Sequence, residues 1–234
     1  FLETQITSEQ ATSGRLEIEK GLLDRVEAIL NDTNNEGISR AMSDFFAAVG
    51  DVANNPSGKS ERIVLLERGQ RLAQRIRATD EQIKNIRQEA DSEIQQRVLE
   101  VNTLAKRIAD LNHKIQNVEN TGEGAHDLRD ERTRLINELS GKIEIHVLDN
   151  GDGGLTVTTG SSGKSYALVL GDQAHSLRTA SNPENFGYAS VIADLQTYIT
   201  DSITSGRIGG LIEVRDNLLP TFIDRLDQLA ASIV

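Results

Sequence analysis

An apolar seam that runs without interruption from Lys59 to Val118 constrains the fold of this chain more than any other feature. The segment contains no proline, and Gly69 is its only glycine. Apolar or small residues recur in steps of three and four, which places them on one face of a helix. They are Leu72, Ile76, Thr79, Ile83, Ile86, Ala90, Ile94, Val98, Val101, Leu104, Ile108, Leu111, Ile115 and Val118. About sixty helical residues would extend about 90 Å, so this segment is predicted to form a rod.

Shorter amphipathic segments predict the helices that pack on this rod, because a helix with one apolar stripe needs partners. Their ranges are Leu2–Leu30, Ile38–Val52, Asp127–Leu139 and 206–234. Turn-forming residues at 54–58 and 122–124 separate them, and the second turn is expected to reverse the direction of the chain. Pro220 lies within the last segment, where it is expected to kink the helix rather than end it.

The hydrophobic period changes from near 3.6 to 2 between Lys142 and Leu170, which is typical of strands. Ile143, Ile145 and Val147 alternate with polar residues, and two further apolar stretches follow after glycine-containing turns. This pattern predicts a small antiparallel meander of β-hairpins. Residues 171–185 have the composition of a loop, and residues 186–202 fit either a strand or a short helix.

Together these patterns predict an α+β fold that is predominantly α, an elongated antiparallel bundle of long helices with a small antiparallel β-hairpin unit. Residues 1–141 are predicted to form the helical rod, with the long helix at about 59–118. Residues 142–205 would form the β-hairpin subregion and a loop, and residues 206–234 a returning helix that packs on the rod. The whole chain would then be one elongated domain.

Charge and composition exclude several classes of partner. The 234 residues include 25 Lys and Arg against 36 Asp and Glu, a net charge of −11. Such an acidic surface repels nucleic acid and anionic lipid, so neither is expected to bind. The chain has no cysteine, which removes disulfides, thiolate catalysis and cysteine-bound zinc. It also has no apolar run of about 18 residues, so no segment is expected to span a membrane.

Two Gly-Lys-Ser tripeptides suggest phosphate loops, but neither has the full pattern. A Walker A loop needs another glycine five residues before its Gly-Lys, and those positions are Ala53 and Thr158. In addition, Pro56 lacks an amide hydrogen, and the second tripeptide leads into an apolar strand rather than a helix. We interpret both tripeptides as turns.

Other candidate sites are also incomplete. Asp149–Gly154 lacks the ligand spacing of an EF-hand and is interpreted as a tight hairpin turn, and Gly206–Gly210 as a helix entry or a close backbone contact. The histidines lie on different predicted elements: His113, His126, His146 and His175. Many carboxylates are assigned to solvated helix faces, among them Glu67, Asp80, Glu81, Glu89 and Asp91. We therefore expect no catalytic residue, no metal, no cofactor and no enzyme.

Four stretches resemble the hook-associated proteins that form the hook–filament junction of bacterial flagella. They are "MSDFFAAVGDVANNPSGKSERIVLL" (42–66), "VNTLAKRIADLNHKI" (101–115), "DLRDERTRLINELS" (127–140) and "GRIGGLIEVRDNLLPTFIDRLDQLA" (206–230). Each motif is weak alone, but the four occur in the family's order and cover nearly the whole chain. The resemblance marks eight residues as fold-shaping: Asn54, Asn55, Pro56, Ser57, Gly209, Gly210, Arg215 and Asp216. Arg215 and Asp216 are also candidates for contacts.

The resemblance implies a structural axial subunit, located outside the cell in the flagellum and exported by the type III apparatus without a cleaved signal peptide. The partners it implies are the hook protein, the second junction protein, the filament, copies of the same protein and an export chaperone. It also implies that polymerising terminal segments and outer domains are absent from this stretch, which is then expected to be a monomer. Two alternatives come from the residues: a cytoplasmic coiled-coil scaffold or signalling rod that binds partner helices, and, less favoured, an acidic hydrolase.

Overall fold

The structure is a computed structural model that describes residues 2–31, 37–122, 124–193 and 196–233. Expectations at Glu123, Asp194, Leu195 and Val234 therefore lie outside the described residues. The helices are α1 (Leu2–Leu30), α2 (Ile38–Asn54), α3 (Lys59–Glu119), α4 (His126–Lys142), α5 (Gly206–Glu213) and α6 (Leu219–Ile233). The predicted fold class is confirmed, because the chain is predominantly helical, with long helices and small antiparallel sheets.

The chain divides into two compact units. Residues 1–20 and 88–215 form the first, which we call the sheet unit because it holds all the described strands. Residues 21–87 and 216–234 form the second, which we call the hairpin unit after its α2–turn–α3 segment. The sequence-based division at 141 and 205 stays a prediction. Each of the two units combines distant parts of the chain.

The predicted seam of α3 is confirmed. Twelve of its fourteen positions are buried, and the remaining two, Ile76 and Val118, are half-buried. Ile83, Ile94 and Ile108 have no exposed surface, and the burial of each such side chain contributes about 1.5–3 kcal/mol. The seam is therefore an apolar face that is covered over most of a helix of 61 residues.

Within the sheet unit, α4 runs antiparallel to α3. Arg129 on α4 binds Glu119 near the end of α3, with nitrogen–oxygen distances of 2.7 and 2.9 Å. Further along α4, Lys142 binds Glu100 on an earlier part of α3 at 2.6 Å. Residue numbers thus rise on α4 as they fall on α3, which confirms the reversal predicted near 122–124.

Two small antiparallel sheets follow α4. The first has the strand order β1 (His146–Asp149), β2 (Leu155–Thr159), β3 (Tyr166–Leu170) and β4 (Gln173–Ala174). The second has the order β5 (Arg178–Ser181), β6 (Ala189–Ala193) and β7 (Thr197–Tyr198). In the first sheet, β2 alternates between buried and half-buried residues, and its buried positions face the core. The predicted meander between 142 and 170 is confirmed.

Two boundaries in this region were predicted wrongly. The first strand begins at His146, because α4 continues through Lys142 and the Ile143 amide still bonds the Leu139 carbonyl. Residues 171–185 were expected to be a loop but contain β4, β5 and a 3₁₀ turn. Strands of two to four residues carry too little periodicity to be recognised without their partners. Residues 186–202, which had been ambiguous, contain β6, β7 and a second 3₁₀ turn.

The irregularity around Pro220 is a π turn. Val214–Leu218 form this turn between α5 and α6, and Pro220 is the second residue of α6. The π-helical segment leads directly into α6, so Pro220 lies inside a continuous helical segment that extends past it to Ile233. The expectation that Pro220 does not end the helix is confirmed, because α6 continues to Ile233, and the expected kink stays a prediction.

Candidate functional site

Three polar side chains of α3 bind the backbone of the strand region within the sheet unit. They are Asp91, Asn102 and Asn112, and we call them the α3 clamps. Each directly follows a seam residue: Ala90, Val101 and Leu111. Each side chain therefore lies at the margin of the apolar face, next to the chain segments that cover it.

The first clamp is a buried ion pair. Asp91 is 4% exposed and Arg215 is fully buried, and Nη1 of Arg215 donates to Oδ1 of Asp91 at 2.6 Å. The same oxygen accepts the Ala189 amide at 2.7 Å, while Nη1 of Arg215 also reaches the Ala189 carbonyl at 2.7 Å. The guanidinium lies 5.7 Å from the centre of the Tyr188 ring. Helix α3, the start of β6 and the π turn are thus joined at one point.

The second clamp is a pair of hydrogen bonds between one amide side chain and one backbone residue. Asn102 donates through Nδ2 to the Leu177 carbonyl, and its Oδ1 accepts the Leu177 amide, both at 2.8 Å. The Leu177 side chain is 2% exposed. Both polar groups of a residue next to β5 are therefore satisfied by α3, which positions the second sheet.

The third clamp connects α3, α4 and the first sheet. Asn112 is fully buried and donates through Nδ2 to the carbonyls of Leu155 and Gly171, at 2.9 and 2.6 Å. Its Oδ1 accepts a hydrogen bond of 2.7 Å from Arg132 of α4. Arg132 is itself buried and donates to the Gly153 carbonyl at 2.6 Å. The β1–β2 turn and the end of β3 are held by this network.

Close backbone contacts in the sheet unit depend on glycine. A Cβ at Gly210 would lie 2.7 Å from the Arg15 carbonyl oxygen of α1, and one at Gly209 would lie 2.8 Å from the Thr204 carbonyl carbon. Gly206 has φ +74 and would bring a Cβ to 2.6 Å from the Ile143 backbone. The GRIGG segment therefore begins α5 where only glycine fits, and its interpretation as a close backbone contact is confirmed.

A half-exposed ion-pair network lies where α3 meets the end of α4. Glu100 accepts hydrogen bonds from Lys142 at 2.6 Å and from Arg97 at 3.0 Å. Burial raises the pKa of Glu100, but the hydrogen bonds and charges of Lys142 and Arg97 outweigh it and lower the pKa below its usual value. Glu93 and Glu100 raise the pKa of Arg97, against the effect of its burial. The network holds its groups in their charged forms.

The predicted turn at 54–57 lies in the hairpin unit. Asn54 is the last residue of α2, and the Asn55 side chain donates to Oε1 of Glu61 at 2.9 Å. Arg62 donates to the Pro56 carbonyl through Nε and Nη2, at 3.1 and 2.6 Å. The first turn of α3 thus fixes the conformation of the loop that precedes it. The Gly-Lys-Ser interpretation as a turn and helix start is confirmed.

The eight residues singled out from the sequence do not form one site. Gly209, Gly210 and Arg215 belong to the sheet unit, whereas Asn54–Ser57 and the half-buried Asp216 belong to the hairpin unit. Their fold-shaping role stays a prediction. Asp91 had been assigned to a solvated face, and this is wrong because Arg215 binds it in the core. Asn102, Asn112 and Arg132 were missed, because local sequence does not distinguish a polar residue beside the seam that binds backbone from one, such as Lys84 or Gln95, that is exposed.

The described residues contain few features that suggest chemistry. No group of three or more His, Asp or Glu within the described ranges is close enough to hold a metal ion. Asp149–Gly154 is a hairpin turn in which Asp149 and Asp152 accept the amides of Gly151 and Gly154. Gly163-Lys164-Ser165 leads into β3, as expected. No helix among the described residues is long and apolar enough to cross a membrane.

Comparisons with known proteins agree with this architecture. Residues 23–234 match the family model of the flagellar hook-associated protein FlgK helical domain. "Flagellar hook-associated protein 1" of Bacillus subtilis is 27% identical over 208 residues, which cover 88% of this chain and 41% of that protein. The protein of the same name from Salmonella typhimurium is 26% identical over 239 residues, covering 98% of this chain and 42% of that protein. The chain thus spans less than half the length of these relatives.

A solved structure has the same fold. The flagellar hook junction protein FlgK from Burkholderia pseudomallei superimposes with a TM-score of 0.79 at 23% sequence identity. The superposition covers 91% of this chain and 39% of that one. The family model covers nearly all of the present sequence, so this chain belongs to the family of the flagellar hook-associated protein FlgK helical domain.

Proposed function

We propose that this chain is the helical part of a structural subunit that joins the hook to the filament of the bacterial flagellum. The match of residues 23–234 to the helical-domain family carries this proposal. The α3 clamps support it, because their polar side chains bind backbone groups and hold helices and strands of the sheet unit together. The role is mechanical rather than catalytic, and the protein is an exported component of the flagellum.

The partners follow from this role. The subunit contacts the hook protein on one side and the second junction protein and filament on the other, and its own copies laterally. An export chaperone binds it before type III export, which uses no cleaved signal peptide. Packing between helical surfaces, rather than binding of a small ligand, transmits load through such a subunit.

Complementation tests this function. The gene that encodes this sequence, in its full natural length, is placed in a strain that lacks its own junction protein. Restored swimming and attached filaments are expected, because filament subunits then polymerise on the junction instead of leaving the cell. Asp110→Asn, a change at an exposed position of α3, serves as a variant that should complement fully. Filament protein that still accumulates in the medium, while the junction protein is present in the cells, would reject the role.

A further inference from the structure

A cleft of about 440 Å³ in the hairpin unit has an unusual concentration of positive charge for such an acidic protein. It lies between α2 and α3, and its charged lining consists of four arginines and one aspartate: Arg40, Arg68, Arg71, Arg75 and Asp44. Asp44 already pairs with Arg40 at 3.0 Å and with Arg68 at 3.2 Å. One carboxylate is therefore shared between two guanidinium groups, and two further arginines remain.

Arg71 and Arg75 have no hydrogen bond or ion pair to any residue that the structure describes. The Nε atom of Arg75 is buried and without a hydrogen-bond partner. A buried donor of this kind destabilises the protein until an acceptor reaches it. Clustered guanidinium groups also repel each other, and both effects are relieved by a carboxylate that enters the cleft.

The balance of charge within the chain indicates where such carboxylates are found. The sheet unit contains 23 Asp and Glu residues against 14 Lys and Arg residues, whereas the hairpin unit contains 13 against 11. The sheet unit of one copy is therefore complementary to the arginine-lined cleft of another.

We propose that this cleft is a docking site for carboxylate side chains on the sheet unit of a second copy of the chain. The inference rests on the proposed function, in which copies lie side by side. A planar guanidinium binds a carboxylate through two parallel hydrogen bonds, so Arg71 and Arg75 give the contact a preferred geometry. Arg68 has 37% of its side chain exposed and Arg40 has 55%, so the rim of the cleft is accessible to solvent. The contact is weak and sensitive to salt, so the chain is monomeric in dilute solution and associates only at high concentration.

Sedimentation velocity on the purified chain tests this contact, over a range from about 20 µM to about 2 mM protein. At about 20 mM NaCl the sedimentation coefficient is expected to rise with concentration, and at about 500 mM NaCl the rise should disappear. The double variant Arg71→Glu/Arg75→Glu should lower the association constant at least about tenfold. Lys59→Glu/Arg77→Glu, which makes the same change of net charge at exposed positions of the hairpin unit outside the cleft lining, should lower it less than about threefold.

Two outcomes would overturn the docking site: a wild-type chain that stays monomeric up to the highest concentration at low salt, or equal losses in the two double variants. The substitution Arg71→Lys/Arg75→Lys refines the test, because it keeps the charge but removes the paired donors. An association constant between those of the wild type and the Arg71→Glu/Arg75→Glu variant supports recognition by the paired guanidinium donors. An association constant equal to that of the wild type contradicts it. Circular dichroism confirms that each variant is folded. Complementation by the full-length gene is measured separately, so a failed docking site leaves the proposed function untouched.

Discussion

Arg215 and Asp91 are 124 positions apart in the sequence, yet their side chains form a hydrogen-bonded ion pair of 2.6 Å in the core of the sheet unit. Removing a charge of this size from water costs several kcal/mol, and the protein recovers it only through complete pairing. Two further hydrogen bonds complete the pairing: Oδ1 of Asp91 accepts the Ala189 amide, and Nη1 of Arg215 donates to the Ala189 carbonyl. The pair therefore specifies where the π turn and β6 meet α3.

Replacement of Asp91 by Asn should strongly destabilise the protein. The substitution removes the carboxylate that Arg215 binds in the core, and breaking a buried ion pair typically costs about 3–5 kcal/mol. Urea denaturation followed by circular dichroism measures the loss in the free energy of unfolding. Asp110→Asn, an equivalent change at an exposed position of the same helix, should cost less than about 0.5 kcal/mol.

The double variant Asp91→Asn/Arg215→Met distinguishes the charge from the packing. Because the double variant removes the buried guanidinium charge together with its carboxylate, it should be more stable than Asp91→Asn alone. Equal stability of the single and double variants would show that the guanidinium charge retained in Asp91→Asn is not the source of the loss.

Asn102→Ala should loosen the second sheet. It removes both hydrogen bonds to the backbone of Leu177, and leaving these buried groups unsatisfied should cost about 1–3 kcal/mol. Hydrogen exchange should show faster exchange of the Leu177 amide. Asn102→Asp retains the acceptor for that amide but not the donor, so it should protect the amide better than Asn102→Ala does. Asn117→Ala, at an exposed position of α3, is the control that should leave exchange at Leu177 unchanged.

Gly210→Ala should disturb the contact between α5 and α1. The new methyl group would lie 2.7 Å from the Arg15 carbonyl oxygen and 3.2 Å from its Cα. Since backbone cannot yield as a side chain does, the cost should be about 1–3 kcal/mol, measured by thermal or urea unfolding. Gly50→Ala is the matched control, because it lies in α2 with nothing within 4 Å. That substitution should be neutral or stabilise by up to about 1 kcal/mol, so similar losses in both variants would contradict the steric explanation.

Stability should fall on acidification partly through Glu100. Lys142 and Arg97 lower the pKa of this carboxyl despite the opposing effect of burial. A lowered pKa in the folded state means that stability is present above the unfolded pKa and is lost as pH falls through the folded pKa. Urea denaturation from about pH 5 to about pH 3 should therefore show a smaller decline for Glu100→Gln than for the wild type. Lys142→Met should also show a smaller decline in the free energy of unfolding as the pH falls. If both variants decline as steeply as the wild type, Glu100 makes no such contribution.

The helices could be predicted because their signal is local. The seam from Leu72 to Val118 repeats every three or four residues, and this period alone specifies a helix and its buried face. The turns at 54–58 and 122–124 were equally accessible, since proline, glycine and asparagine act through their own backbone preferences. The hairpins between 142 and 170 were found by their period of two, although the first strand begins later than predicted.

Only the tertiary structure decided which polar residues of α3 lie inside. Asp91 follows Ala90 in the seam and had the appearance of a solvated carboxylate, but Arg215 arrives from a distant part of the chain to pair with it. The backbone groups that Asn102 and Asn112 bind likewise belong to residues 75 and 43 or more positions away. A polar side chain at the margin of an apolar face is stable whether it is solvated or paired. Its state depends on which backbone groups the folded chain brings to it, and local sequence does not contain that information.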